Sequence, residues 1–291
     1  MSVPEGDLLR DTTLLPDPDV AGRYHGTISE AWKVMYAFGG VSMTACLRAM
    51  QQHLGRPDLD LVTANAIFCA PVPCGPITVD VQVLRDGRGV SQVACDLRVA
   101  GSDTIALRTH GVFGSAYPSE HHFVDVRFPT DIAMPDECPP PPPPHDDNPW
   151  PEINFHSQTD WRPALARFWQ QRDTWERGPA RFAAWTRLLA EPRLADGSYD
   201  PLALAVPADS IGAAIGAGLG PGAGPWMTLS LEIGLRFLAT PAATPAWVLQ
   251  DMTAWQCGNG YATGPTHLWD IEGNLLAIAQ QTAHLREFPR R

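Results

Sequence analysis

Apolar and polar residues follow a similar order in the two halves of the chain. In the first half, residues 41–54 form an apolar stretch with helical spacing, which begins just after Gly39-Gly40. Segments typical of β-strands follow at 61–68, 77–84, 90–99 and 104–112. The Asp86-Gly87 pair marks a tight hairpin turn between the second and third of these. The pattern predicts one helix followed by an antiparallel meander.

The second half repeats the helix-then-meander order. A stretch rich in small residues, 201–218, has helical character and is interrupted at Pro207. Strands are predicted at 227–233, 246–256, 261–271 and 275–288. Two copies of this unit predict an α+β protein in which each half has one long central helix wrapped by an antiparallel β-sheet.

A run of six prolines, 139–144, divides the chain near its middle. Such a run cannot continue a helix or a central strand, and forms a stiff polyproline II spacer. A ligand for a proline-binding domain is the alternative interpretation. We therefore predict an N-terminal domain at 1–115, a proline-rich linker at 116–150 and a C-terminal domain at 151–291.

Composition narrows the classes of function. Hydrophobic residues make up 44% of the chain and charged residues 18%, which is enough for a sizeable core. The formal net charge is −11 and no Lys/Arg-rich run occurs, so nucleic acid is not an expected partner. We expect no membrane-spanning helix, no signal peptide and six reduced cysteines, and hence a cytoplasmic protein.

Short motifs occur in both halves of the chain. They are Arg23-Tyr24-His25-Gly26, Phe38-Gly39-Gly40, Phe68-Cys69-Ala70-Pro71, Val83-Leu84-Arg85-Asp86-Gly87, Ala184-Trp185-Thr186-Arg187, Ala208-Asp209-Ser210, Thr228-Leu229-Ser230 and Leu276-Ala277-Ile278-Ala279-Gln280-Gln281. These motifs resemble the acyl-CoA thioesterase II family, whose members have a double hotdog fold. The resemblance implies that fold for this chain, with hydrolysis of acyl thioesters as its activity.

In that family a carboxylate, a strand hydroxyl and an amide hold one water molecule. The resemblance places these roles on Asp209, Thr228 and Gln281. Elementary chemistry is consistent, because the apolar neighbours of Asp209 favour a base with a raised pKa, while a hydroxyl and an amide orient water. Two of these residues also have an ordinary structural interpretation: a helix N-cap for Asp209, and a good strand former for Thr228. Strand alternation sends Gln280 and Gln281 to opposite faces, and the resemblance favours Gln281.

Three further residues are expected to contact substrate. Gly39 and Gly40 open the first helix, where free N–H groups contact a thioester oxygen or the pantetheine arm; a tight turn is the alternative. His110 takes the place of Gln281 in the first half when the two halves are superimposed by sequence. It is a vestige of a second active half, a substrate contact or an ordinary sheet histidine.

The expected function is hydrolysis of acyl-CoA or acyl-carrier thioesters, with no metal and no cofactor. One alternative is an acyl-thioester hydratase or dehydratase, although residues 205–218 lack the histidine which that chemistry usually pairs with an aspartate. Another is a non-catalytic acyl-binding protein. Apolar residues on both faces of 247–254 predict a homodimer or homotetramer, unless the insertion at 114–163 covers that surface.

Overall fold

The computed structural model describes residues 3–117, 119–140, 153–169, 177–220, 223 and 226–287. The α-helices in these ranges are α1 (Leu8–Asp11), α2 (Gly39–Leu54), α3 (Ala205–Ala208) and α4 (Gly212–Leu219). The strands are β1 (Leu15–Pro16), β2 (Arg23–Ile28), β3 (Asp60–Phe68), β4 (Gly75–Asp86), β5 (Val90–Val99), β6 (Ile105–Gly114), β7 (Thr159–Pro163), β8 (Arg181–Leu188), β9 (Trp226–Phe237), β10 (Val248–Thr253), β11 (Gln256–Gly258), β12 (Tyr261–Trp269) and β13 (Leu275–Glu287). Short 3₁₀ turns lie at Glu30–Trp32, Asn154–Gln158, Ala166–Phe168 and Pro201–Leu204.

Within the described residues, the strands form one antiparallel sheet in the order β1-β2-β4-β5-β6-β3-β9-β13-β12-β10-β8-β7, with β11 paired to β12. The order β2-β4-β5-β6-β3 in the first half matches β8-β10-β12-β13-β9 in the second. In each half, the strand after the helical region lies at the junction, so β3 pairs with β9 from Thr63↔Arg236 to Ile67↔Glu232. The internal repeat expected from the sequence is therefore present in the topology.

Helix α2 is the long central helix of the first half. It begins at the glycine pair and ends at Leu54, and the next residue, Gly55, has a φ of 61° and forms the left-handed C-terminal cap that glycine favours. Its buried residues, including Met43, Leu47 and Met50, pack on the concave face of β4, β5 and β6. Burial of this apolar face supplies most of the stability of such a helix.

The prediction of a second long central helix is wrong. The second half has a 3₁₀ turn, the four-residue α3, a break and the eight-residue α4. The sequence suggested an interruption at Pro207, whereas the chain leaves helical geometry at Asp209, with φ −92° and ψ 65°. Pro207 is tolerated in the first turn, where its missing N–H has no helical partner.

The stretch Pro201–Leu219 is long and apolar enough to cross a membrane by length and composition alone. In the structure, however, 67% of its most apolar window is buried inside the protein. It packs between α2 and the strands of the second half. The same composition is expected of a core segment enclosed by a sheet.

Part of the insertion covers the outer face of the second half of the sheet. The Trp185 indole donates to Ala133 O at 2.8 Å, and the Phe128 ring packs edge-on against Trp269 at 5.7 Å. This is the arrangement named above as the alternative to an oligomer interface. Residues 118 and 141–150 of the predicted linker lie outside the described ranges, and the domain boundaries and the oligomer remain predictions.

Candidate active site

The Asp209 carboxylate lies at the break between α3 and α4 and is 7% exposed. Its Oδ1 accepts hydrogen bonds from Ser230 Oγ at 2.7 Å and from Gln281 Nε2 at 2.7 Å. Its Oδ2 accepts one from the Gly40 N–H at 3.0 Å. The first half of the chain thus contributes a donor to a carboxylate of the second half.

Gln281 fixes the geometry of this network from β13. Its Oε1 accepts from the Ile211 N–H at 3.0 Å, which identifies the other amide atom as the nitrogen. That Nε2 also donates to Ser230 Oγ at 2.9 Å, so both of its hydrogens are used. Gln280 is exposed on the opposite face and donates to Thr263 Oγ1, as strand alternation predicts.

The glycine pair allows α2 to approach the carboxylate. A Cβ on Gly39 would lie 2.4 Å from Asp209 Oδ2, and one on Gly40 would lie 2.5 Å from Ala205 O. A side chain at Gly39 would displace the Asp209 carboxylate, and one at Gly40 would require the backbone at Ala205 to move. The positive end of the α2 dipole therefore points at the carboxylate at close range.

Two opposing effects act on the pKa of Asp209. Burial raises it, because a charged carboxylate loses its hydration. The hydrogen bonds from Ser230, Gly40 and Gln281 lower it, since they stabilise the charged form. Burial is the larger effect, so the pKa lies above the ordinary aspartate value. This direction favours a general base.

A cavity of about 1380 Å³ opens beside Asp209 and is mostly apolar. Residues of both halves and of the segment after the linker form its wall. Phe38 stacks on Phe155 at 4.1 Å, and Trp161 stacks on Phe182 at 5.5 Å. The size and the aromatic wall suit a long apolar group next to a single buried carboxylate.

Two family models match this chain. Residues 28–114 match the acyl-CoA thioesterase N-terminal domain, and residues 135–285 match the acyl-CoA thioesterase C-terminal domain. The chain belongs to the acyl-CoA thioesterase family. The family resemblance expected from the sequence motifs is thereby confirmed. A comparison with curated proteins found no match to this chain.

Solved structures share the fold over almost the full length. A protein from Novosphingobium aromaticivorans DSM 12444, described as a candidate thioesterase, has a TM-score of 0.72 at 26% identity, with 94% of this chain and 98% of that one covered. The acyl-CoA thioesterase II TesB2 from Mycobacterium marinum has a TM-score of 0.68 at 16% identity, covering 97% and 99%. A hotdog-fold protein from Alicyclobacillus acidocaldarius has a TM-score of 0.77 at 20% identity, covering 97% and 98%. The chain is thus a hotdog-fold member of the thioesterase family.

Three residues were expected to hold a water, and two of them, Asp209 and Gln281, are hydrogen-bonded to each other. Thr228 is not in the hydrogen-bond network of Asp209 among the described residues; Ser230 occupies that place. Thr228 lies opposite Leu285 and Ser230 opposite Ala283, so both face the core from β9. The strand register shifts between Thr282 and Ala283.

His110 is not near the cavity, which corrects the expectation of a substrate contact. It is exposed on β6, between Asn65 and Ala94 of the neighbouring strands. The buried residue beside it is Thr109, which shares the inward direction of Gln281. The sequence alignment of the halves was therefore out by an odd number of residues, and one residue of slip reverses the face of the sheet.

In the ranges that the structure describes, no group of three or more His, Cys, Asp or Glu side chains is arranged to hold a metal ion. The residues that sequence reasoning missed are Ser230, Ile211 and the histidine His156, which lines the cavity. The motif Thr228-Leu229-Ser230 contained the signal for Ser230, since its two hydroxyl residues share one face of a strand.

Proposed function

We propose that this protein hydrolyses acyl-CoA or acyl-carrier thioesters to a free acid and a thiol. The observation that carries the proposal is the hydrogen bonding of Asp209. A carboxylate has about four acceptor sites. Two bonds reach Oδ1 and one reaches Oδ2, so one acceptor site of Oδ2 remains for a water in the cavity.

The water held at Oδ2 attacks the thioester carbonyl carbon while Asp209 takes one of its protons. The carbonyl electron pair moves to oxygen, then returns as the carbon–sulfur bond breaks. The proton on Asp209 passes to the departing sulfur, which leaves as a thiol. The positive end of α2 favours both the ionised base and the oxyanion formed beside it.

Ser230 and Gln281 act in this scheme as positioning residues for the base. They hold Oδ1, which turns the free acceptor site of Oδ2 toward the cavity. Thr228 and Gly39 line the same cavity and are proposed as contacts of the water or the thioester group. Gly40 is committed to the carboxylate through its N–H.

We also propose that the two halves are two hotdogs which form one active site between them. Gly40 at the start of α2 belongs to the first half, and Asp209 to the second. Neither half alone would complete the network. A cytoplasmic location is a further proposal, which rests on the composition. A homo-oligomer also stays a proposal, but its interface would lie away from the outer face of β10, because the insertion covers that face. The hydratase or dehydratase alternative is disfavoured, because the described donors to Asp209 are a backbone N–H, a hydroxyl and an amide rather than a histidine.

The test is release of free thiol from a panel of acyl-CoA thioesters, with Asp209→Asn as the key variant. General-base catalysis contributes about 10²–10⁴-fold, so we expect a loss of that size. The matched control is Asp270→Asn, a buried aspartate that accepts from the Glu272 and Asn274 N–H groups in a turn. The proposal fails if wild-type protein releases no thiol from any member of the panel, or if Asp209→Asn is as active as Asp270→Asn.

A further inference from the structure

The break at Asp209 interrupts one helical hydrogen bond. In a continuous helix the Ile211 N–H would donate to the Pro207 carbonyl, four residues earlier. In the structure the Ile211 N–H donates instead to Gln281 Oε1 at 3.0 Å. Pro207 and Ile211 are both buried, so each backbone group needs another partner. The break therefore leaves the Pro207 carbonyl in need of a donor.

Two side chains supply that donor. Ser210 Oγ donates to Pro207 O at 2.7 Å, and Gln250 Nε2 donates to the same oxygen at 3.2 Å. A backbone carbonyl has two lone pairs, so these two bonds fill its acceptor capacity. A serine hydroxyl three residues after a carbonyl is a natural competitor for it against the backbone N–H. Gln250 reaches the carbonyl from β10, so tertiary structure reinforces this local competition.

Side chains thus replace the missing bond at both of its ends, and one of them also holds the base. Gln281 accepts from the Ile211 N–H and donates to Asp209 Oδ1 at 2.7 Å. If Pro207 O became free, the Ile211 N–H would return to it and the helix would continue through Asp209. The Gln281 amide would then lose the bond that fixes its orientation.

Helical geometry at Asp209 would also move its carboxylate. Asp209 has φ −92° and ψ 65°, whereas an α-helix needs a ψ of about −42°. A rotation of about 100° in ψ would redirect α4 relative to α3. Two donors to Asp209 lie on other elements, Gly40 on α2 and Ser230 on β9, and would not follow that rotation. A continuous helix would therefore take the carboxylate out of its network.

We propose that Ser210 and Gln250 are positioning residues for hydrolysis, which occupy the Pro207 carbonyl and thereby keep the chain out of helical geometry at Asp209. The inference rests on the proposed thioesterase function, in which Asp209 is the base. Neither side chain has a hydrogen bond to the Asp209 carboxylate among the described residues, so both act through the backbone. Because the two donors share one acceptor, each keeps the carbonyl occupied when the other is lost. Loss of both should therefore cost more activity than the product of the two single losses.

The experiment measures kcat/KM for thiol release in Ser210→Ala, in Gln250→Met and in the double variant. Methionine is close to glutamine in size but has no N–H donor. We expect each single variant to lose less than about fivefold, and the double variant to lose about a hundredfold, the cost of a misplacement of about 1 Å. Ser210→Thr keeps a hydroxyl, so combined with Gln250→Met it should be as active as Gln250→Met alone.

The matched control is a second double variant, Ser115→Ala with Gln158→Met. Gln158 is 6% exposed and its Nε2 donates to Pro4 O at 3.1 Å, much as the 7% exposed Gln250 donates to Pro207 O. Ser115 Oγ donates to Gly89 O at 3.3 Å. These bonds lie away from Asp209, so the control should keep the wild-type kcat/KM.

A titration that does not depend on catalysis separates the inference from the proposed function. The carboxyl carbon of Asp209, assigned by its absence in Asp209→Asn, is followed by NMR against pH. The bond from Gln281 lowers the pKa of Asp209, so the double variant should titrate at higher pH than wild type and the control should not. A general loss of stability would lower the melting temperature without moving this titration.

Each outcome decides one of the two claims. If wild-type protein releases no thiol while the titration moves as expected, the proposed function is wrong and the positioning role stands. The inference is wrong if the folded double variant titrates like wild type, or if its loss of kcat/KM equals the product of the single losses within about threefold. If Ser210→Ala with Gln250→Met does not fold, Ser210→Ala with Gln250→Asn takes its place, because the shorter amide keeps a polar group on β10 but falls short of Pro207 O.

Discussion

Replacement of Ser230 by alanine tests the described geometry most sharply. The Ser230 hydroxyl donates to Asp209 Oδ1 at 2.7 Å, and this bond is one of the effects that lower the pKa of the carboxyl group. Its removal must raise that pKa. Because Asp209 has to be ionised to accept a proton from water, the acid limb of the pH–rate profile should move to higher pH.

The size of the effect follows from the kind of bond that is lost. A hydrogen bond to a charged group contributes about 1.5–3 kcal/mol. Since each 1.36 kcal/mol is a factor of ten, Ser230→Ala should lower kcat/KM by about tenfold to a hundredfold on the acid limb. The loss should be smaller on the plateau, where the remaining donors still hold an ionised Asp209. Gln281 Nε2 also loses its second acceptor, which adds disorder to the network.

The assay is thiol release against pH, with kcat/KM determined at each point. Ser230→Thr retains a hydroxyl at the same position and should restore the acid limb toward its wild-type position. Thr228→Val removes the neighbouring hydroxyl, which makes no bond to Asp209, and should leave the position of the limb unchanged. If the limb fails to move in Ser230→Ala, or moves equally in Thr228→Val, the assignment of Ser230 is refuted.

Three other substitutions have defined outcomes. Gly39→Ala places a Cβ 2.4 Å from Asp209 Oδ2 and should reduce thiol release by more than about tenfold in a protein that still folds. Gln281→Glu puts a second carboxylate beside Asp209, which raises the pKa of both; its melting temperature should therefore fall below that of wild type progressively as pH rises from 5 to 8. Trp185→Ala empties a fully buried site and removes the bond to Ala133 O, so urea unfolding should show a loss of about 3–5 kcal/mol.

Each of these has a control that differs in environment rather than in chemistry. Gly234→Ala adds a Cβ whose nearest neighbour is 3.5 Å away, so it should retain activity. Gln280→Glu is exposed on the far face and should show no such pH-dependent loss. Trp255→Ala alters a residue that is 67% exposed and should stay within about 0.5 kcal/mol of wild type. Equal effects in a variant and its control would contradict the corresponding argument.

The parts of the fold that the sequence predicted are those with a strong local signal. Helix α2 and the strands β3 to β6 agree with the predicted segments within a few residues, because each has a clear period and turn residues at its ends. Strands β2 and β8 were missed. Along β8, Phe182 to Trp185 are all buried, since both faces of that strand are covered, and no alternation results.

The residues of the candidate site that were missed or misplaced also have physical explanations. Asp209 and Gln281 were proposed from the family resemblance, and the structure brings their side chains into one hydrogen-bond network. Ser230 was missed because it shares one strand face with Thr228, so alternation alone could not choose between the two hydroxyls. His110 was misplaced because a slip by an odd number of residues in the sequence comparison reverses the face of a strand. The contact of Gly40 with Asp209 joins residues far apart in the chain, and only tertiary structure shows it.

The central claim is that Asp209 activates a water which attacks the thioester directly. A single turnover in H₂¹⁸O, with enzyme in excess over acyl-CoA, tests it by mass spectrometry of both the acid product and the peptide that contains Asp209. The account predicts one ¹⁸O atom in the released acid and an unlabelled Asp209 peptide. Label in the Asp209 carboxylate, with none in the acid, would show that Asp209 attacks the thioester itself and would contradict the account.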